Sequence, residues 1–178
     1  MIEESKAYRV LLLDPPWNEN GGGGRGAQCH YPIMKSADIE RLLVEDERIP
    51  DVMHEASVCF MWVTNNFLED GLALMRALGF EYITNFVWTK DRFGLGYYAR
   101  GQHELCLFGR TKAWKSRPKK AMPSWLGQDA IARREHSRKP DEMHETIETM
   151  FDGPYLELFA RREREGWDVW GNEIEEGK

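Results

Sequence analysis

The chain has 178 residues, a net charge of −6 at neutral pH, 42% hydrophobic residues and 30% charged residues. This balance is typical of an ordinary soluble globular protein, so we expect a single domain over residues 1–178 with one sizeable core. The sequence offers no apolar stretch long enough to cross a bilayer and no signal peptide, which excludes a membrane protein and makes a cytoplasmic location the expectation.

Strand-like and helix-like patterns alternate along the chain. The predicted elements are a buried strand over residues 9–14, a helix with Ser36 as its N-cap, a strand over 56–64, a helix over 66–80 that stops at Gly79, strands over 82–90 and 103–109, a long connection over 110–128, a helix over 139–151 with Pro140 at its first position, and strands over 153–161 and 166–173. This alternation predicts an α/β fold with a mostly parallel central sheet flanked by helices.

The first strand ends in the sequence DPPW, Asp14 to Trp17, which is followed by a glycine-rich loop. Gly21, Gly23 and Gly26 satisfy the spacing of a dinucleotide-binding fingerprint. That motif must join a strand directly to a helix, and here the chain runs through a Tyr-Pro pair before any helix begins. We therefore interpret the loop as a mobile flap over a pocket.

The DPPW sequence has the groups needed to hold the exocyclic amino group of a nucleobase. Asp14 supplies a carboxylate, and Pro15 and Pro16 have fixed φ angles and carbonyl acceptors without competing N–H donors. Accepting both amino hydrogens turns the nitrogen lone pair out of the ring plane, and Trp17 offers a face on which an extruded base stacks. The alternative is a proline-stiffened turn whose tryptophan fills the core.

Basic residues are concentrated in the second half of the chain. Residues 90–139 contain 13 lysines and arginines against 4 aspartates and glutamates. Such a region on an otherwise acidic protein predicts a contact with a phosphate backbone, although a solvated basic loop would look the same. Near Trp114 and Trp125, the predicted substrate contacts are Lys112, Lys115, Arg117, Lys119 and Lys120.

Seven blocks occur in an order that resembles one protein family, and together they span nearly the whole chain. They are DPPW (14–17), HYPIM (30–34), FMWVTN (60–65), HELCLFG (103–109), HSRKPDE (136–142), LELFAR (156–161) and WGNE (170–173). The chain resembles the MT-A70 family of adenine-N(6) methyltransferases, especially its small bacterial and phage members. The resemblance implies a Rossmann-like methyltransferase fold that uses S-adenosylmethionine.

The same resemblance implies roles for individual residues. Asp14, Pro15, Pro16 and Trp17 would hold the target adenine, and Tyr31 would close over the active site. The implied cofactor-binding residues are Lys139, near the methionine carboxylate, together with Glu157, Arg161, Asn172 and Glu173, near the ribose and adenine. In the eukaryotic member, residues well upstream of DPPW also hold the cofactor. Only thirteen residues precede Asp14 here, so we expect that contact to be absent or made elsewhere.

The resulting hypothesis is a methyltransferase that modifies adenine in nucleic acid, with DNA favoured over RNA as its partner. An RNA adenosine methyltransferase, a non-catalytic nucleic-acid-binding subunit and an enzyme acting on a small molecule or protein are the alternatives. We expect no membrane partner, and a monomer or a homodimer. We also expect no metal site, because the three cysteines and five histidines lack zinc-binding spacing.

Overall fold

The structure is a computed structural model that describes residues 7–17, 34–90, 92–94, 96–128 and 139–171. Its strands are β1 (Tyr8–Leu13), β2 (Met53–Val63), β3 (Glu81–Thr89), β4 (His103–Arg110), β5 (Trp125–Gln128), β6 (Tyr155–Leu158) and β7 (Trp167–Trp170). Its helices are α1 (Ser36–Arg41), α2 (Ile49–Val52), α3 (Leu68–Ala77) and α4 (Glu142–Met150), with a π-helical turn over Leu42–Asp46 and a 3-10 turn over Asn65–Phe67. Within these ranges no helix has the length and apolar character needed to span a bilayer.

The strands form one mixed sheet in the order β5-β3-β4-β2-β1-β6-β7. Neighbouring strands are parallel except at β4, which runs antiparallel to both β2 and β3. The predicted α/β fold with a mostly parallel central sheet is therefore confirmed. The reversal at β4 brings the start of that strand to the edge where β1, β2 and β3 end.

Strand β1, which lies between β2 and β6 in the sheet, is buried on both of its faces. Leu11 and Leu13 join the cluster of apolar side chains that includes residues of α1 and α3. Val10 and Leu12 join a second cluster, to which α4 contributes Met143, Ile147 and Met150. Because helices cover both faces, β1 is a continuous apolar run rather than an alternating one.

Helix ends and one short strand differ from the sequence predictions. Ser36 is the first residue of α1 rather than its N-cap, and Lys35, which precedes it, caps the helix with no side-chain hydrogen bond. Pro140 lies before Asp141, the N-cap of α4, and so outside that helix. The connection over 110–128 ends in β5, a strand that was not predicted. By contrast, Gly79 follows α3 with a φ of 89°, as expected of a helix stop.

Candidate active site

Segments from distant parts of the chain meet at one edge of the sheet. Leu13, the last residue of β1, pairs with Met61 of β2 and with Leu158 of β6, and Met61 pairs with Leu107 of β4. The residues that follow β1 and β6 and those that begin β4 therefore share the carboxyl edge, by which we mean the edge where the parallel strands end. In open α/β sheets this is the edge at which ligands bind.

Four charged side chains of alternating sign lie at the carboxyl edge. Lys139 Nζ donates to Asp14 Oδ2 at 2.8 Å and lies 3.3 Å from Glu104 Oε2. Lys90 Nζ pairs with Oε1 of the same Glu104. The Lys139 ammonium also lies 5.6 Å from the centre of the Trp62 ring, where a cation–π attraction contributes. We call Asp14, Lys90, Glu104 and Lys139 the charge cluster.

Burial and mutual attraction shift the pKa values within the charge cluster. Burial raises the pKa of Asp14 above its usual 3.8, against the opposing pull of the Lys139 ammonium. Burial would also raise the pKa of Glu104, but Lys139 and Lys90 together hold that pKa below its usual 4.5. For Lys139, burial acts to lower the pKa, and the carboxylates of Asp14 and Glu104 outweigh it and raise that pKa. Lys139 is therefore a cation at neutral pH.

The proline carbonyls are not free of backbone donors, which corrects the sequence prediction. The N–H of Trp17 donates to the Pro15 oxygen at 2.8 Å, and the N–H of Met34 donates to the Pro16 oxygen at 2.9 Å. A carbonyl oxygen has two lone pairs, so each retains one acceptor position. The first of these hydrogen bonds closes a tight turn that fixes the carbonyl of Pro15, the residue that follows Asp14 in the chain.

Trp17 packs in the core instead of presenting a face for a base. Its side chain is buried, its ring stacks on Phe67 at a centroid distance of 5.6 Å, and its Nε1 donates to the Trp62 carbonyl at 3.0 Å. The predicted stacking role does not fit this position. The buried position agrees with the alternative prediction of a proline-stiffened turn whose tryptophan fills the core. The packing of Trp17 anchors the turn that follows Asp14.

The predicted cofactor residues are only partly brought together. Arg161 lies close enough to Asp14 for its charge to lower the pKa of that carboxyl. Glu157 Oε2 instead accepts a hydrogen bond from His144 Nε2 of α4 at 2.9 Å, so its carboxylate faces α4. Asn172, Glu173, Tyr31 and the glycine-rich loop lie outside the described residues.

The loops after β6 and β7 approach each other closely where the chain reaches Asn172. Ala160 N–H donates to the Trp170 oxygen at 3.1 Å. A Cβ atom on Gly171 would lie 2.3 Å from the Ala160 oxygen and 2.8 Å from its nitrogen. Only glycine fits this approach without moving one of the two backbones.

The MT-A70 family model matches residues 8–173, which is nearly the whole chain. The chain belongs to the MT-A70 family. The match contains both motifs that meet at the carboxyl edge, DPPW and the segment around Lys139. The family predicted from the seven ordered blocks is therefore confirmed.

Several named methyltransferases are similar to this chain along most of its length. The Type II methyltransferase M.MunI of Mycoplasma is 32% identical, over 97% of this chain and 80% of that protein. The N6-methyladenosine RNA methyltransferase MTA1 of Pyricularia oryzae is 26% identical over 98% of this chain and 49% of that protein. Human METTL3, an N(6)-adenosine-methyltransferase catalytic subunit, is 27% identical over 94% of this chain and 28% of that protein. These names support the predicted methylation of adenine in nucleic acid.

The basic segment after β4 lies at the opposite edge of the sheet from Asp14. Arg110 ends β4 and pairs with Glu81, the first residue of β3, and with Val58, which lies in the middle of the longer strand β2. Lys112 then pairs with Glu81, and Lys119 pairs with Asp152 just before β6. Eight residues of strand, about 25 Å, separate the two edges. The prediction that Lys112, Lys115, Arg117, Lys119 and Lys120 support a strand extruded at Asp14 does not agree with this geometry.

Glu104 and Lys90, which complete the charge cluster, were not predicted from the sequence as site residues. Glu104 is the only charged residue inside the otherwise apolar HELCLFG block, and its side chain is almost fully buried. A carboxylate among residues of a buried strand is rare unless it is paired. That signal was present in the sequence and pointed to a partnered acid at this position.

Proposed function

We propose that the protein transfers a methyl group from S-adenosylmethionine to the exocyclic amino nitrogen of adenine in nucleic acid, with DNA as the substrate. The observation that carries the proposal is the Asp14 carboxylate at the end of β1, held by Lys139 beside the fixed carbonyl of Pro15. We favour DNA because the chain covers 80% of M.MunI but only 49% of the RNA methyltransferase MTA1.

Asp14 and Pro15 form a pair of acceptors suited to an amino group. The carboxylate of Asp14 accepts one amino hydrogen, and the remaining lone pair of the Pro15 carbonyl accepts the other. Holding both hydrogens out of the ring plane removes the nitrogen lone pair from conjugation and makes it a nucleophile. Because both acceptors are fixed before the base arrives, little reorganisation is needed during the reaction.

Among the described residues, the partners of Lys139 leave it able to bind a further anion. Its ammonium has three N–H groups, of which one donates to Asp14, while Glu104 Oε2 forms an ion pair with the same nitrogen at 3.3 Å. A third partner such as the carboxylate of an amino acid fits this cation, and the adjacent Asp14 carboxylate suits a positively charged sulfonium. Lys139 would thus hold the methionine end of S-adenosylmethionine, while Arg161, Asn172 and Glu173 would hold its ribose and adenine. S-adenosylmethionine supplies an activated methyl group.

Glu104 and Lys90 fix the position of Lys139. Lys139 lies just before α4, and its side chain is oriented by its contacts at the carboxyl edge. Glu104 holds it from β4, and Lys90 neutralises the second oxygen of Glu104 from the end of β3. A buried carboxylate with cations on both sides stays ionised and keeps Lys139 directed at Asp14.

The test is methyl transfer from labelled S-adenosylmethionine to duplex DNA, single-stranded DNA and RNA, followed by nucleoside analysis. We expect N6-methyladenine in DNA with the unmodified protein. In Asp14→Asn the side-chain amide presents a donor toward the amino group, so the rate should fall by at least about 100-fold. Asp152→Asn makes the same chemical change at the opposite edge and should keep full activity.

Calorimetry with S-adenosylmethionine accompanies the assay and identifies the non-catalytic alternative. We expect heat of binding for the unmodified protein and for Asp152→Asn. A protein that binds nucleic acid but gives no heat with S-adenosylmethionine and no methylated nucleoside would contradict the proposal. Full activity of Asp14→Asn would contradict the role of Asp14.

A further inference from the structure

The loop between β3 and β4 projects from the carboxyl edge beside the charge cluster. The pairing of the two strands continues past their ends, with Lys90 N–H donating to the Gln102 oxygen at 2.9 Å and Gly94 N–H donating to the Gly101 oxygen at 2.7 Å. Lys90 and Glu104 at its base belong to the charge cluster. We call the described residues of this loop, 92–94 and 96–101, the aromatic arm.

The tip of the aromatic arm exposes two adjacent aromatic rings. Tyr97 and Tyr98 are 105% and 106% exposed, as open to solvent as in an extended chain, and Phe93 is 57% exposed. Elsewhere in the described chain, large apolar side chains are mostly buried in the two core clusters. Aromatic rings held away from the core at the entrance to a site indicate a surface that binds a partner.

The aromatic arm also bears positive charge. The guanidinium of Arg100 lies 4.2 Å from the centre of the Phe93 ring, and its Nε donates to the Gly94 oxygen at 3.1 Å. Arg92 is exposed near the base of the arm. Flat rings combined with guanidinium groups match the chemistry of unpaired nucleic acid, in which bases stack on aromatic side chains and cations track the phosphates. An uncharged apolar partner would gain nothing from the arginines.

We propose that the aromatic arm binds the unpaired nucleotides that flank the target adenine, with Tyr97 and Tyr98 stacking on their bases. The inference rests on the proposed function, because taking an adenine out of a duplex leaves its neighbours unstacked. Stacking on tyrosine replaces the stacking on adenine that those neighbours had in the duplex. The arm contacts the flanking bases and not the reacting one, so it does not take over the role predicted for Trp17.

A double-mutant cycle tests the contact, with binding of labelled single-stranded DNA measured by fluorescence anisotropy without cofactor. One oligonucleotide carries a central adenine with normal neighbours, and the other carries abasic sites on both sides of that adenine. For the first, replacing both tyrosines by alanine should weaken binding by roughly 10-fold or more. For the second, the same replacement should have little effect, because the stacking partners are gone. Replacing both by phenylalanine, which retains the rings, should preserve binding of the first oligonucleotide.

Tyr82→Ala is the matched control, since Tyr82 is an exposed tyrosine that pairs with Gly109 near the opposite edge of the sheet. This control should leave the affinities for both oligonucleotides unchanged.

Equal binding by the protein with both arm tyrosines replaced by alanine and by the unmodified protein would overturn the inference. Equal losses of affinity for both oligonucleotides would also overturn it. A change of oligomeric state in the alanine variant, measured by sedimentation, would also overturn it, because the arm would then bind a second copy of the chain. If the alanine variant loses affinity only for the oligonucleotide with normal neighbours but no methylated product is found, the inference about the aromatic arm stands. That result would contradict only the proposed function.

Discussion

Lys139 and Asp14 are in contact although 125 positions separate them in the chain. Each belongs to a motif that is recognisable in the sequence, so both could be predicted as site residues. Their direct ion pair could not, because the resemblance placed Lys139 at the cofactor alone. The buried position of Trp17 was equally hidden, since a tryptophan after two prolines suits a core or an exposed face until its neighbours are known.

Glu104 stabilises the folded chain by an amount that depends on pH. Its pKa is lower in the folded state than its usual 4.5, so its contribution is present above about pH 4.5 and is lost as the pH falls below that value. Glu104→Gln lacks this contribution. The free energy of unfolding should therefore fall by about 1–3 kcal/mol at neutral pH, and the difference between the two proteins should shrink in acid.

Urea unfolding of Glu104→Gln and the unmodified protein, near pH 7 and near pH 4, measures this difference. Asp14 has a raised pKa and the opposite pH dependence, but it is present in both proteins, so most of its effect cancels in the comparison. A difference that is equal at both pH values would show that the charge of Glu104 contributes no stability.

Among the elements, those defined by local pattern were the predictable ones. The apolar run of β1 and the glycine that ends α3 are signals contained in a few neighbouring residues. Strand β5 is only four residues long, contains Gly127 in a left-handed conformation, and is held by pairing with β3. Its formation depends on a distant partner, so no short stretch of sequence predicts it.

Gly171→Ala should disturb the junction of the loops after β6 and β7. The new Cβ would meet the backbone of Ala160, which no rotamer change relieves. We expect a loss of about 1–3 kcal/mol in the free energy of unfolding, together with weaker S-adenosylmethionine binding, because Asn172 follows directly. Urea unfolding and calorimetry measure the two effects.

Gly101→Ala is the control for this change. The nearest atom to a Cβ at Gly101 is Asn65 Nδ2 at 3.8 Å, an ordinary contact distance. This variant should keep the stability of the unmodified protein. Equal free energies of unfolding for the two alanine variants would show that the loops after β6 and β7 can move apart without loss of stability.

At the scale of the whole molecule, the direction of β4 decides which charges face the site. Because β4 is antiparallel to its neighbours, it carries the chain from the carboxyl edge at His103 to the opposite edge at Arg110. Nothing local in an apolar strand specifies its direction. The basic segment could therefore be identified from the sequence, but its position could not, and neither could a role for the aromatic arm.

The salt dependence of DNA binding should come from cations at the carboxyl edge. Replacing Lys115, Arg117 and Lys120 by glutamine should leave the slope of log Kd against log salt concentration unchanged. Replacing Arg92 and Arg100 by glutamine should reduce that slope by about 0.9 for each phosphate that the variant no longer neutralises. Anisotropy titrations over a range of salt concentrations measure both slopes. A reduced slope for the first variant alone would show that DNA binds at the opposite edge.

The position of β1 also constrains how the chain folds as it leaves the ribosome. One neighbour of β1 is β2, but its other neighbour is β6, so Val10 finds its partner Tyr155 only after residues 11–154 have been synthesised. Until β6 has been synthesised, one side of the apolar strand β1 has unpaired backbone groups. Such a strand is prone to aggregate. Under the proposed function, a nascent chain that has emerged only as far as β4 has Asp14 but lacks Lys139 and is inactive, and a chain truncated anywhere before β6 should be insoluble.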